Sequence, residues 1–262
     1  MTLDPWLSLG MLDELGAPII GVPILGIQDK ALRDKMKTKE VADLGHPLEP
    51  SLEGVIALQP DLIIGYSYLH QQVYDRLSDV APTLLLEQMD WKDQFLMLAD
   101  IANRMEVARA MMDIYERRAA SIRKRVPENL QVSVVRVAPF GFQVYLDGPA
   151  AYAPYRVLSE AGVRRTDYET TTDATMLKRP DWEELLELDG DVLLYVVASG
   201  IDPSPDNGLA ASTIENPIWR LLPAVADGRA HRIDRATWMG FHGITSAHRV
   251  LDDIKRHILA GQ

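Results

Sequence analysis

PSLEGVIALQPDLII, from Pro50 to Ile64, and PDWEELLELDGDVLL, from Pro180 to Leu194, are two versions of one pattern, set 130 positions apart in a chain of 262 residues. Pro50/Pro180, Glu53/Glu183, Leu58/Leu188 and Asp61/Asp191 are identical in register, and Leu62, Ile63, Ile64 match Val192, Leu193, Leu194 as apolar runs. Each copy reads as a short helix that turns tightly into a buried strand. Any two amphipathic helices share apolar spacing by chance, but the Pro, Glu and Asp in register are harder to obtain that way. A period of half the chain points to two lobes of like construction.

Working outward, the first lobe alternates helices and strands. Leu7 to Leu15 is helical and ends at Gly16; Pro18 to Val22 is an apolar strand. After the first copy of the repeat, Gln71 to Val80 reads as helix and Thr83 to Leu86 as strand. Strands separated by helices imply parallel pairing, with strands covered on both faces and therefore written as unbroken apolar runs. From Met105 to Val126 the pattern becomes one long helix, with Val107, Met111, Ile114, Ile122 and Val126 as its apolar positions and Pro127 as its stop. At 1.5 Å per residue it spans about 33 Å, enough to connect two lobes. The second lobe opens on a hairpin, Val132 to Val137 and Phe142 to Leu146. Tyr155 to Ala161 is helix, stopped by Gly162. The second copy of the repeat follows, then a loop from Ser199 to Asn207. Ile218 to Ala226 reads as helix, His231 to Asp234 as strand and Thr245 to Leu259 as the closing helix. The expected organisation is an N-terminal α/β lobe over 1–104, a connecting helix over 105–127 and a C-terminal α/β lobe over 128–262.

Composition narrows the function classes. A formal charge of −11 opposes a nucleic-acid partner, because phosphate backbones call for a basic face. With no cysteine, thiolate metal sites and cysteine nucleophiles are excluded. No apolar run approaches the roughly 18 to 20 residues that span a bilayer. The opening MTLDPWLSLG has no basic n-region, apolar h-region or small-residue cleavage site.

Catalytic patterns are missing too: there is no Walker or GxGxxG phosphate cradle, no GxSxG elbow, and no pair among the six histidines with zinc-ligand spacing. The expectation is a binding protein without an intrinsic cofactor or metal, rather than an enzyme. VYDRLSDVAPTLLL leads to Trp91, and IWRLLPAVADGRAHRID leads to Trp238, so each lobe sets a Trp just past a parallel strand, the edge where open sheets bind ligands. Glu53 and Glu183 occupy one position in both lobes, on helices whose other face is apolar.

The segment VADLGHPLEPSLEGVIALQPDLIIG, followed by HQQVYDRLSDVAPTLLL and by WRLLPAVADGRAHRID with Trp238, resembles the substrate-binding proteins of bacterial ABC importers for ferric siderophores. The closest branch is the one that includes ferric-citrate and ferric-hydroxamate binders, and the resemblance covers nearly the whole chain. It implies an α/β fold of two Rossmann-like lobes with parallel-rich sheets joined by a single long α-helix. It implies a monomer, periplasmic or lipid-anchored on the outer face of the cytoplasmic membrane, that holds its ligand in the cleft between lobes. It further implies that one glutamate per lobe, Glu53 and Glu183 by motif position, docks on arginines of the permease dimer. Two departures stand out. Family proteins have a complete first strand before the position of Leu3, preceded by a signal sequence. Several carboxylate-siderophore binders also carry an Arg where this sequence has Leu69.

A ferric siderophore presents oxygen atoms around iron that is already fully coordinated, so its binder needs donors and aromatic surfaces. Arg136, inside the apolar run VSVVRV, is costly to bury without a partner and is expected to face a wet cleft or an anion. Tyr68 and His70 follow the first lobe's strand and can donate hydrogen bonds; Trp91, Tyr145 and Trp238 can lie against the ligand. The nearer rival ligands are haem, with Tyr68 or His70 as axial ligand, and cobalamin. The more distant rival is a two-domain α/β transferase.

Overall fold

The structure, a computed structural model, describes residues 1–27, 29–198 and 208–259; the loop expected from Ser199 to Asn207 lies outside the described residues. The chain divides into two compact units: Met1–Asp113 with Gly240–Thr245, and Ile114–Met239 with the residues from Ser246 onward.

In the first unit, β1 (Gly21–Val22) pairs in parallel with β2 (Ala42–Asp43). A small antiparallel pair follows, β3 (Gly45–His46) with β4 (Glu49–Pro50). Then β5 (Ile63–Tyr66) pairs in parallel with β6 (Thr83–Leu86). Residues 1–3 join the two parallel pairs. Thr2 N donates to Gly21 O at 3.2 Å on one side, and Leu3 N donates to Ile64 O at 2.8 Å on the other. The expected strand over Pro18 to Val22 is thus only two residues long, and the central place belongs to the segment before Asp4. Helices Leu9–Glu14, Lys30–Thr38, Leu52–Leu58 and Trp91–Ile101 alternate with the strands. Leu3, Leu44, Val55, Ile63 and Leu77 form one apolar cluster; Leu9, Val22, Ile27, Leu32, Met36 and Val41 form another.

The second unit holds a five-stranded sheet. β7 (Val132–Ala138) and β8 (Gly141–Tyr145) make the expected hairpin, closed by Pro139 and Phe140 and helped by Gly141 at φ +117°. With β9 (Leu177–Lys178), β10 (Val192–Val197) and β11 (Ala230–Arg232), the spatial order is β11-β10-β7-β8-β9. The β11-β10-β7 part is parallel and the β7-β8-β9 part antiparallel. β7 and β10 are apolar on both faces, as central parallel strands should be. Their one partly exposed position each is Arg136 and Tyr195.

Several helices differ from the sequence reading: the one expected over Ile218 to Ala226, for example, is a 3-10 turn, Trp219–Leu221, followed by a short helix, Pro223–Ala226. The second copy of the repeat is a single 3-10 turn, Glu184–Glu187, where the first is the α-helix Leu52–Leu58. The long helix runs Met105–Arg123, and its buried stripe is Ala108, Met112, Tyr115, Ala119 and Ile122. Those residues recur at alternating spacings of four and three, one face of a helix. Val107 and Ile114, expected to be apolar anchors, are exposed because two alanines set the close-packed face one position away.

Candidate functional site

Arg136 sits five residues into β7, with Gln143 of β8 as its antiparallel partner and Val196 of β10 on its other side. Its guanidinium is half-buried and held from three directions. Nη1 donates to Gln143 Oε1 at 3.0 Å and to the Tyr145 hydroxyl at 3.4 Å, while Nη2 donates to the Ala198 carbonyl at 3.2 Å. Phe140, exposed at the hairpin tip, lies 5.8 Å from the guanidinium carbon. Every one of these partners is neutral. Among the described residues the positive charge is therefore oriented but not cancelled, which suits an anionic or oxygen-rich ligand.

The phenol beside it belongs to an aromatic stack. Tyr145 lies on Tyr155 with centroids 5.0 Å apart and planes 21° apart, and its ring is 5.6 Å from that of Tyr152, whose hydroxyl donates to Met239 O at 3.3 Å. Beneath the stack is a buried ion pair, Arg165 with Glu169. Arg165 faces the Tyr155 ring at 5.3 Å and donates through Nε to Val132 O at 3.0 Å. Glu169 accepts from Val134 N at 2.8 Å and from the Thr166 hydroxyl at 3.0 Å. Paired in this way, the two charges brace the base of the stack from the strand that carries Arg136. Burial pushes the Tyr155 hydroxyl well above its ordinary value, so it stays protonated.

In the first unit the residues after β5 have divided roles. Tyr68 is 60% exposed, its ring edge-on to buried Tyr66 at 5.8 Å. His70 is fully buried, contrary to its expected place as a donor to ligand. Its Nδ1 accepts from Tyr66 N at 3.0 Å, which leaves Nε2–H to donate to Pro47 O at 3.1 Å. With both nitrogens engaged, the ring pins the loop that presents Tyr68 and is not available as an axial ligand. Desolvation lowers its pKa, consistent with a neutral imidazole. A Cβ on Gly65 would stand 2.9 Å from Nδ1, so glycine there permits the ring to close under the strand end.

The two tryptophans are core residues, a correction to their expected exposure at strand ends. Trp91 opens the helix Trp91–Ile101 and packs edge-on to Phe241 at 5.5 Å. Trp238 is fully buried, donates through Nε1 to Asp253 at 2.8 Å and meets the edge of Tyr155 at 6.0 Å. Both rings face apolar neighbours because each lies on the inner side of a helix that follows its strand. Glu53 and Glu183 are exposed, and no described residue pairs with either carboxylate. Gln143, Tyr152 and Phe140 were not singled out from sequence. Tyr152 was within reach of a sequence argument, as the middle of three tyrosines in YLDGPAAYAPY, but Gln143 becomes legible only through the cross-strand register. Among the described residues no three His, Asp or Glu side chains converge on a metal-holding point.

Set against known proteins, residues 5–237 match the model of a family described as periplasmic binding protein. The probable siderophore-binding lipoprotein YfiY of Bacillus subtilis is 27% identical over 237 residues, covering 87% of this chain and 71% of the relative. The putative ABC transporter substrate-binding lipoprotein YhfQ of the same organism is 25% identical, covering 98% and 83%. The crystal structure of Staphylococcus aureus SirA complexed with staphyloferrin B superposes with a TM-score of 0.81 at 21% identity, covering 98% of this chain and 91% of that one, and so shares its fold. A binding-protein model matched over 233 consecutive residues agrees with a site built from oriented donors and aromatic rings: this chain belongs to the periplasmic binding protein family.

Proposed function

We propose that the protein is the extracytoplasmic substrate-binding component of an ABC importer and that it captures a ferric siderophore and delivers it to the permease. The observation that carries this reading is Arg136, a guanidinium held by neutral partners beside the Tyr145 phenol, in a chain whose relatives include a siderophore-binding lipoprotein. Such a group recognises the oxygen shell of iron that is already chelated. With no convergent cluster of protein ligands among the described residues, the ferric ion has to arrive with its own. Arg136 and Tyr145 are the proposed ligand contacts in the second unit, with Gln143 and Tyr152 positioning them. Tyr68 is the exposed candidate in the first. Glu53 and Glu183 are the proposed docking carboxylates. Two relatives are named as lipoproteins, and no described helix is long and apolar enough to cross a membrane, which supports a periplasmic or lipid-anchored protein on the outer face of the cytoplasmic membrane.

Tryptophan fluorescence titrated against ferric hydroxamates, ferric citrate-type chelates, haem and cobalamin tests the ligand class. Ferric siderophores should quench at micromolar levels. Quenching by haem or cobalamin alone would overturn the assignment. Arg136→Ala should weaken binding by about 1.5 to 3 kcal/mol, the worth of a hydrogen bond to a charged group, and unchanged affinity in the folded variant would remove Arg136 from the site. Reversal of both docking charges, Glu53→Lys with Glu183→Lys, should leave ligand affinity intact and abolish uptake, because rim charges govern encounter and orientation.

A further inference from the structure

Within the duplicated segment the apolar positions fall into two groups. Val55 and its counterpart Leu185 are fully buried, and the strand positions Ile63 and Leu193 are buried as well. Ile56 and its counterpart Leu186 are different: they are 56% and 41% exposed, the one matched aliphatic pair of the repeat that faces solvent in both units. A lone exposed aliphatic residue is ordinary on any protein. Its recurrence at the same position of two diverged copies is not, since the core side of each turn is already filled by Val55 or Leu185.

Each of these side chains stands beside a carboxylate. Ile56 follows Glu53 by three residues in an α-helix, where i and i+3 share a face. Leu186 follows Glu183 by three residues at a 3-10 turn, where i and i+3 eclipse, and Leu186 N donates directly to Glu183 O at 3.2 Å. Two different helix types thus bring the same two chemistries together: an exposed carboxylate with no partner among the described residues, and an exposed branched aliphatic group one turn on. Neither Ile56 nor Leu186 is near the Arg136 and Tyr145 group in sequence, and neither belongs to its contact network.

We propose that Ile56 and Leu186 are the apolar half of a two-part contact on each unit, seated in an apolar hollow beside the basic side chain that receives Glu53 or Glu183. This rests on the docking reading above and deepens it. The occupant is a two-fold symmetric permease, because a partner that meets the same charge-plus-aliphatic pair on both units must present the same basic-plus-apolar receptor twice. The carboxylates supply encounter and orientation, as screened surface charges do. The aliphatic groups supply a component of binding that salt does not screen and that excludes water from the charge pair.

The test uses proteoliposomes holding the permease and its ATPase, chosen as the transporter that the siderophore-loaded wild-type protein stimulates. The readout is the concentration of loaded protein that gives half-maximal ATP hydrolysis, measured with the siderophore that best quenches the wild type. About half of each side chain remains to be covered, so Ile56→Ser and Leu186→Ser should each raise that concentration about fivefold and together about twenty-five-fold. Siderophore affinity and melting temperature should not change. The double charge reversal runs alongside. If it abolishes stimulation while Ile56→Ser with Leu186→Ser leaves the half-maximal concentration unchanged, the inference is overturned and carboxylate docking stands. If neither pair of substitutions has an effect, the docking reading fails with it. If the serine variants lose siderophore affinity or melt early, the two residues serve the fold or the ligand, and the inference is overturned.

Discussion

The two copies of the repeat put the same side chains at the same addresses with different backbones. In the first, Ser51 caps a true α-helix by accepting from Gly54 N at 3.1 Å, and Gln59 ends it in the left-handed region at φ +45°. In the second, Asp181 accepts from both Glu183 N at 2.8 Å and Glu184 N at 2.9 Å, one i to i+4 bond from Leu185 N to Asp181 O at 3.0 Å gives way to i to i+3 bonds, and the turn is over within four residues. Trp182 meanwhile packs edge-on to Phe142 at 4.7 Å, and Gly190 backs onto β7 so closely that a Cβ would stand 2.6 Å from Ser133 N. Val55 and Leu185 point inward alike, and Glu53 and Glu183 outward alike. What has been retained is the division between buried and presented groups; the hydrogen-bond pattern that achieves it has drifted.

The units also differ in how they secure buried polar groups near the strand ends. Around residues 1–3 and β5 the first relies on neutral or backbone-held groups, and elsewhere it sets the Asp29 carboxylate against the His242 ring at 3.2 Å. His70 is locked between Tyr66 N and Pro47 O, and Asp4 accepts from Leu7 N at 2.7 Å and Ser8 N at 2.8 Å. Burial raises the Asp4 carboxyl above its ordinary value, so its contribution is fullest at acid pH and is lost as pH rises through the folded value. The second unit buries a full ion pair, Arg165 with Glu169.

The largest effect follows from that contrast. Glu169→Ala strands Arg165 in the core and should cost about 4 kcal/mol in urea unfolding, with loss of ligand quenching as the tyrosine stack loosens. Asp4→Asn should cost no more than about 2 kcal/mol, since one oxygen remains to accept from the backbone. Equal costs would erase the distinction between the units. The core of the repeat is the next point of attack: Leu185→Ala should cost about 3 kcal/mol and Val55→Ala about 2 kcal/mol, in proportion to the carbon atoms removed. A negligible cost at either site would mean that the buried halves of the two copies are not equivalent. Smaller still are the caps. Ser51→Ala should lose about 1 kcal/mol, and Asp181→Ala somewhat more because it leaves two N–H groups unserved; the reverse order would argue against the 3-10 assignment. The smallest effect is on pH dependence. His70 is held below 6.5, so its contribution to stability is whole above that value and drains as pH falls through the folded pKa. The wild type should therefore lose stability between neutral and mildly acid pH with a steeper slope than His70→Gln, and parallel slopes would show that the ring is not held neutral.

Much of this protein was legible in one dimension because burial writes itself as periodicity. The duplicated segment, the parallel strands as unbroken apolar runs, the β7-β8 hairpin and the solvent-facing Glu53 and Glu183 all follow from which positions alternate and which do not. Arg136 could be singled out because a charge inside VSVVRV has to find partners. The identity of those partners could not, since Gln143 meets it only through antiparallel register and Ala198 through the neighbouring strand. Nor could the burial of Trp91, Trp238 and His70, residues whose polar atoms make them equally fit for a ligand or a core. Tertiary packing decided between the two: it gave Trp238 the carboxylate of Asp253 and gave His70 two backbone partners, and a donor already satisfied inside the fold has nothing left to offer a ligand.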